Sequence, residues 1–346
     1  MANALSVLKY FAQQGAGEEV LHRFALPGEF RVKQLIRRTF INHFVHQGDN
    51  VGNRLAAVTI KQPPYGFSAR RCDFAHIFAE LNFGDDAVYM EKFIVEPKHV
   101  EVQLMADKHG NVVHLYERDC SCQRRNQKLL EEAPCHILEE DVREHLLRDA
   151  VRAAESVGYD SVGTIEFLLD ARGEYYFMEM NTRIQVEHTI SEEICGIDLI
   201  KQQIRIADGH KLACRQEDIV CRGHAIECRI NAENIKYNFA PSPGQVSFIN
   251  FPLGRRVRIE SAVYNDYKIP PYYDSMIAKI ITYADTRLEC IKRMRSALEE
   301  LLIEGVETNI EFQYLLLHHP TFVGGRYDTG FMESFIKELK EDGTII

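Results

Sequence analysis

Glu166 and Glu179 stand at equal distances from Arg172-Gly173, in a stretch whose flanks, 162–169 and 175–180, read as the two strands of a hairpin. A two-residue turn there sets the two carboxylates directly opposite each other. Opposed side chains in an antiparallel pair lie about 5 Å apart at Cβ, and like charges at that spacing destabilise the sheet. A divalent cation held between them would remove the repulsion. Asn181, two residues beyond Glu179, faces the same way and adds an amide oxygen. Oxygen ligands alone favour Mg2+ or Mn2+ over zinc. The competing reading is two solvated carboxylates on an open sheet face.

Just past this hairpin, Asn181, Arg183, Gln185 and Glu187 occupy alternate positions. A guanidinium clamps planar oxyanions such as a carboxylate or bicarbonate through paired N–H donors. Glu187 could accept a proton from an anion held on Arg183. A third constellation, residues 117–128, places Arg118, Arg124, Arg125 and Lys128 among acidic neighbours; alone it reads as a solvated charged loop. Two further segments are Arg258-Ile259-Glu260-Ser261 and Pro270-Pro271-Tyr272-Tyr273-Asp274, the latter most simply a rigid turn.

The elements that must position these groups are legible from about residue 87 onward. A buried strand is predicted over 88–94, and two more over 100–105 and 112–116, joined by the turn composition Asp107-Lys108-His109-Gly110-Asn111. Helical spacing runs over 139–157, stopped by Gly158, and over 192–207, closed by Gly209. Strands dominate 223–283, and helices return over 286–302 and 308–318. This order implies an α+β fold. Before residue 84 the only clear signal is a helical spacing of Leu35, Ile36, Phe40, Ile41, Phe44 and Val45, with nothing that would build a sheet.

The chain has 346 residues, with 41 Lys and Arg against 51 Asp and Glu, a formal charge of -10. That balance argues against nucleic acid or an anionic membrane as partner. No apolar stretch approaches the roughly 18 residues of a membrane span, and the start lacks a secretory pattern. Nine scattered cysteines without CxxC spacing are expected to be reduced thiols of a cytoplasmic protein.

Taken in order, MEKFIVEPKHVEVQ (90–103), ERDCSCQRRNQK (117–128), EEAP (131–134), GTIEFL (163–168), FMEMNTRIQVEH (177–188), RGHAIECRINAE (222–233) and PPYYDSMIAKII (270–281) closely resemble biotin carboxylase, a member of the ATP-grasp superfamily. The resemblance covers about 85–340. It implies a partial ATP-grasp core over 85–210 and a biotin carboxylase C-terminal domain over 211–346. The family's N-terminal α/β domain and Gly-rich lid have no recognisable counterpart in 1–84, which is expected to be disordered or foreign to the family. By resemblance, ATP would meet Glu91, Lys92, Ile94, His99, Gln123, Asn126 and Leu168. Mg2+ or Mn2+ would sit on Glu166, Glu179 and Asn181, and bicarbonate on Arg183, Gln185 and Val186. Glu187 would be the base and Lys128 would steady the anions. Arg258 would stabilise the biotin enolate. Biotin is expected on a separate carrier protein, with carboxyltransferase subunits and a second copy of the chain as partners. The implied role is the biotin carboxylase component of acetyl-CoA carboxylase. The alternatives are that of a pyruvate or propionyl-CoA carboxylase, or a catalytically incomplete fragment.

Overall fold

The computed structural model describes residues 93–344 and, before them, the backbone of three strands, Phe30–Leu35, Ala57–Ile60 and Glu91–Lys92. The described residues fall into two compact units, one ending at Val95 and the other beginning at Glu96.

In the smaller unit, Phe30–Leu35 pairs antiparallel with Ala57–Ile60 on one side and Glu91–Lys92 on the other. A small sheet therefore exists where none was expected, and Leu35 ends a strand rather than opening a helix. The alternation of Phe30 and Val32 with Arg31 and Lys33 is a period-two pattern, overshadowed by the helical spacing that follows it. That predicted helix beyond Leu35, and residues 88–90 of the predicted strand, lie outside the described residues.

The larger unit is built on one antiparallel sheet of eight strands. In chain order these are β1 (Lys98–Ala106), β2 (Val112–Arg124), β3 (Gln127–Ala133), β4 (Ser161–Leu169), β5 (Tyr175–Asn181), β6 (His224–Asn231), β7 (Val257–Ser261) and β8 (Met276–Ala284). Their spatial order is β7-β8-β6-β3-β2-β1-β4-β5, with every neighbouring pair antiparallel. The sheet runs without interruption across residue 210.

Each face of the sheet is covered differently. Helix α1 (Glu140–Ser156) offers Leu146, Leu147, Ala150, Ala153 and Ala154 to Val100, Val102, Leu104, Ile165 and Phe167. Acidic Glu140 and Asp141 complement its N-terminal dipole, and Gly158, at φ +60°, turns the chain after its end. Helices α4 (Arg287–Glu300), α5 (Ile310–His318) and α6 (Phe331–Glu341) build a second core against β3, β6 and β8. The opposite face carries α2 (His188–Cys195) and α3 (Leu199–Ala207). These two replace the single helix predicted over 192–207, because Gly196 takes φ +68° and Asp198 caps α3 by accepting from Lys201 N. Under α3 the sheet face is apolar, through Met105, Val113, Leu115 and Val162. Further along it is polar.

Segment 117–124 is not the solvated loop its charges suggested. It is the second half of β2, and Glu117, Arg118, Asp119, Cys120, Ser121 and Cys122 are all buried. The partners of these charges come from β1, from helix α1 and from the 185–191 region, all distant in sequence. The turn that follows, Arg125-Asn126, has φ of +51° and +64°, the backbone of a tight two-residue hairpin turn. No disulfide forms among the described residues, and burial pushes the thiols of Cys120, Cys122, Cys135 and Cys228 well up.

Gly163 in β4 lies beneath Tyr159, whose hydroxyl donates to Val162 O at 2.9 Å. A Cβ at Gly163 would sit 2.6 Å from that hydroxyl oxygen. Gly163→Ala should therefore destabilise the larger unit by about 1–3 kcal/mol, read as a lower midpoint in thermal unfolding.

Candidate active site

Glu166 and Glu179 are cross-strand partners, as the sequence predicts, but not through a two-residue turn. The loop between β4 and β5 has five residues, organised by Asp170, whose carboxylate accepts from Arg172 N at 2.9 Å and Glu174 N at 3.0 Å. Gly173 takes φ +82° within it. The longer loop pairs Phe167 with Phe177, one register step away from the expected partner. A bulge at Met178 restores the step, so that Glu166 meets Glu179 and Thr164 meets Asn181. The two departures cancel.

Asn181 Nδ2 donates to Glu166 Oε1 at 2.6 Å and to Glu179 Oε1 at 3.2 Å. Glu166, Glu179 and Asn181 thus converge on one point, with the amide standing where a cation would sit; turned over, it offers Oδ1 to the same point. Burial raises the Glu179 carboxyl, and the charge of Glu166 raises it further. Glu166 goes the other way: burial opposes ionisation, but the hydrogen bond from His99 (Nε2–Oε2 2.9 Å) and the charge of Lys128 bring it to about 2. One carboxylate firmly ionised beside another that resists ionisation is a donor set with room for a divalent cation.

From this pair a line of charged side chains crosses the face of the sheet. Glu101 pairs across strands with both Glu166 and Arg118. Arg118, fully buried, donates to Glu101 Oε2 (3.2 Å), Gln103 Oε1 (2.5 Å), Thr164 Oγ1 (3.2 Å), Ser191 Oγ (3.0 Å) and Gln185 Oε1 (2.6 Å). Gln185 in turn donates to Glu166 Oε1 at 2.8 Å. Lys128 Nζ is bound by Glu101, by Glu187 Oε1 at 2.5 Å, and more loosely by Glu166 Oε1 at 3.7 Å. Burial alone would lower the Lys128 ammonium; these carboxylates and the Cys120 sulfur reverse that and hold it well above its usual range.

Glu187 lies between two cations, Lys128 on Oε1 and Arg229 Nη2 on Oε2 at 2.9 Å. Burial would raise its carboxyl, and Lys128 and then Arg229 hold it below the usual carboxylate range. Arg229 also donates through Nε to Glu131 Oε1 at 2.6 Å. Its own carbonyl is pinned by Asn309 Nδ2 and Gln313 Nε2 from the start of α5.

The residues expected in the site separate into groups. Glu166, Glu179, Asn181, Gln185, Glu187, Lys128 and His99 converge. Val186 contributes its carbonyl, which accepts from Lys279 Nζ at 2.7 Å. Leu168 is half-buried on the face of His99, and Gln123 Nε2 reaches His99 Nδ1 at 3.5 Å. Arg183 is exposed, its guanidinium on Ile184 O, because the chain leaves the sheet after Asn181 and alternate positions no longer share a face. Asn126 is at the exposed tip of the β2–β3 turn. Arg258, on edge strand β7, is held by Glu192 Oε2 (2.7 Å), Glu193 Oε1 (3.3 Å) and Glu260. Glu91, Lys92 and Ile94 belong to the smaller unit. Sequence reasoning missed Glu101, Arg118, Arg229 and Lys279. For Glu101, Arg229 and Lys279 the signal was a polar or charged residue alternating with apolar ones along a strand, as in Glu101-Val102-Gln103 and Glu227-Cys228-Arg229.

Comparison with known proteins decides the family. Residues 69–215 match the model of the carbamoyl-phosphate synthase L chain ATP-binding domain, and residues 227–334 that of the biotin carboxylase C-terminal domain. Biotin carboxylase 1 of Bacillus subtilis is 55% identical over 258 residues, 74% of this chain and 57% of the relative. The chain belongs to the biotin carboxylase family. It spans about half to three-fifths of the curated relatives it matches. One of the pyruvate carboxylase subunits of Methanothermobacter thermautotrophicus is 51% identical over 253 residues, 73% of this chain and 51% of that one. Among solved structures, the biotin carboxylase domain dimer of Hydrogenobacter thermophilus 2-oxoglutarate carboxylase, in complex with MgADP, ADP and bicarbonate, superposes with a TM-score of 0.71 at 48% identity. The match covers 77% of this chain and 58% of that one.

Glu179→Gln removes an oxygen charge from the cation point and also relieves repulsion from Glu166. It should weaken Mn2+ binding, measured by titration calorimetry, at least tenfold, a loss of about 1.4 kcal/mol or more. The midpoint of thermal unfolding in EDTA should not fall.

Proposed function

We propose that the chain carboxylates biotin with ATP and bicarbonate, through carboxyphosphate. The observation that carries this reading is Glu187, a buried carboxylate bridged by Lys128 and Arg229 beside the cation point of Glu166, Glu179 and Asn181. A general base, anion-binding cations and an all-oxygen metal site are what a bicarbonate-activating phosphoryl transfer needs. Mg2+ or Mn2+ on Glu166, Glu179 and Asn181 would neutralise charge on the ATP phosphates.

In the resting chain both cations are occupied by the protein's own carboxylates. An incoming bicarbonate, held from Gln185, the Val186 backbone and Arg183, competes with Glu187 for Lys128 and Arg229. As these cations turn to the substrate, Glu187 loses the charges that suppress its basicity and takes the bicarbonate proton. The bicarbonate oxygen would then attack the γ-phosphate, breaking its bond to the bridging oxygen and releasing ADP to give carboxyphosphate, with Lys128 steadying the developing charge. For the biotin enolate we propose Arg258, the role that the family resemblance gives it. Arg258 lies on the edge strand, where Glu192, Glu193 and Glu260 hold it. Glu91, Lys92, Ile94, His99, Gln123, Asn126 and Leu168 are proposed for the nucleotide.

Biotin is proposed to arrive on a biotin carboxyl carrier protein, with carboxyltransferase subunits downstream and a second copy of the chain as dimer partner. The dimeric 2-oxoglutarate carboxylase domain supports the last point. Relatives named simply biotin carboxylase favour acetyl-CoA carboxylase as the setting, and the pyruvate carboxylase relative, 51% identical, supports the alternative.

The reading is tested by phosphate release from ATP, with and without bicarbonate and free biotin. Bicarbonate should stimulate release, and Glu187→Gln should reduce the stimulated part on the order of a hundredfold or more. Arg258→Ala should impair biotin carboxylation more than bicarbonate-dependent ATP cleavage. Hydrolysis indifferent to bicarbonate would overturn the assignment.

A further inference from the structure

Beyond Arg229 the same sheet face holds another pair of opposed carboxylates. Glu131 on β3 and Glu227 on β6 are cross-strand partners, so their side chains leave the sheet on one side, about 5 Å apart at Cβ. Both are fully buried. Each uses one oxygen for a donor: Glu131 Oε1 accepts from Arg229, and Glu227 Oε2 accepts from the Thr189 hydroxyl. The remaining oxygens, Glu131 Oε2 and Glu227 Oε1, have no hydrogen-bond donor.

The charges packed around the pair do not supply one. Arg229 is shared with Glu187. Lys279 on β8 is 2.8 Å from Glu260 and 3.8 Å from Glu227. Lys128 is taken by Glu101 and Glu187. The thiols of Cys120, Cys122 and Cys228 next to the pair are held protonated by burial. A buried carboxylate oxygen without a donor is costly, and two on opposed residues more so. A proton on one of the two removes one of the charges and, directed at the other's oxygen, would supply the missing donor.

We propose that Glu131 and Glu227 share a single proton, forming an acid–carboxylate pair that positions Arg229 against Glu187. The charge stays on Glu131, where the guanidinium binds, and the acid is Glu227. Burial, and then the charge of Glu131, push the Glu227 carboxyl up to about 8. With Glu227 neutral, Arg229 bridges two anions, Glu131 and Glu187, and is not drawn toward a third. Glu131 and Glu227 are positioning residues, and the shared proton does not depend on what the site carboxylates.

Infrared spectroscopy of the purified 346-residue chain at neutral pH should show the carbonyl stretch of a protonated carboxylic acid. Both Glu227→Gln and Glu131→Gln should abolish that component. The first removes the acid; the second removes the charge that adds to burial in keeping it protonated, leaving Glu227 to ionise beside Arg229 and Lys279. Thr189→Val, which keeps both carboxyls, should move the component without removing it.

Thermal stability supplies an independent readout. A carboxyl raised in the folded state contributes stability that is complete below its unfolded pKa of about 4.3 and is lost as pH rises through the folded value. The midpoint of Glu227→Gln should therefore rise relative to the unsubstituted chain between about pH 5 and 8. A spectrum with no acid component sensitive to these substitutions, as a water between two ionised carboxylates would give, overturns the proposal. So does a midpoint difference that is flat with pH.

Discussion

The ammonium of Lys128 is the charge on which the site depends. It lies within the sheet face, bound to Glu101 and Glu187 and within reach of Glu166, three acids that arrive from three separate segments of the chain. Taking one partner from such a buried group strands the others, at a cost of about 3–5 kcal/mol. The β2–β3 hairpin brings Lys128 to this position, and its left-handed turn at Arg125-Asn126 sets the register that does so. The packing of α1 on one face and of α2 and α3 on the other keeps water from a row of charges that would otherwise be solvated.

In that row most directly opposed pairs carry like charge, and each carboxylate finds its cation diagonally, along its own strand or from a neighbouring segment. Glu101, Glu131, Glu166, Glu187 and Glu227 face Arg118, Lys128, Arg229 and Lys279, with His99 at one end. The cations are preorganised while they hold the protein's own carboxylates. In the proposed reaction a substrate anion would replace one of those carboxylates, and fixed charges in a water-poor site stabilise developing charge far better than solvent does. In the proposed mechanism the same logic applies to Glu187, whose carboxyl Lys128 and Arg229 hold below the usual range and whose basicity the incoming anion would release.

Much of this was legible in the sequence, and the failures have physical causes. The Glu166–Glu179 pairing was read correctly from an incorrect turn: Asp170 organises a longer loop, and the bulge at Met178 offsets it. Helix α1 appeared with its limits almost in place, because its apolar stripe and Gly158 are local signals. The break between α2 and α3 was passed over, although Gly196 and Asp198 together form a stop and a start. The burial of 117–122 was invisible locally, because the groups that compensate Arg118 and Glu117 come from β1, α1 and the 185–191 region. Charge looked like solvent exposure. For the same reason Arg229, flanked by apolar residues in β6, drew no notice, whereas Arg258 beside Glu260 did.

The central claim is that the cations of the row exchange the protein's carboxylates for a substrate anion. Bicarbonate affinity in the presence of a Mg-nucleotide, measured for the unsubstituted chain and for Lys128→Met, tests it most directly. The account predicts that bicarbonate binds and that Lys128→Met weakens it tenfold or more, about 1.4 kcal/mol at the least. Equal affinity in the two proteins would contradict it, because Lys128 would then be a structural counter-ion for Glu101 and Glu187 and nothing else.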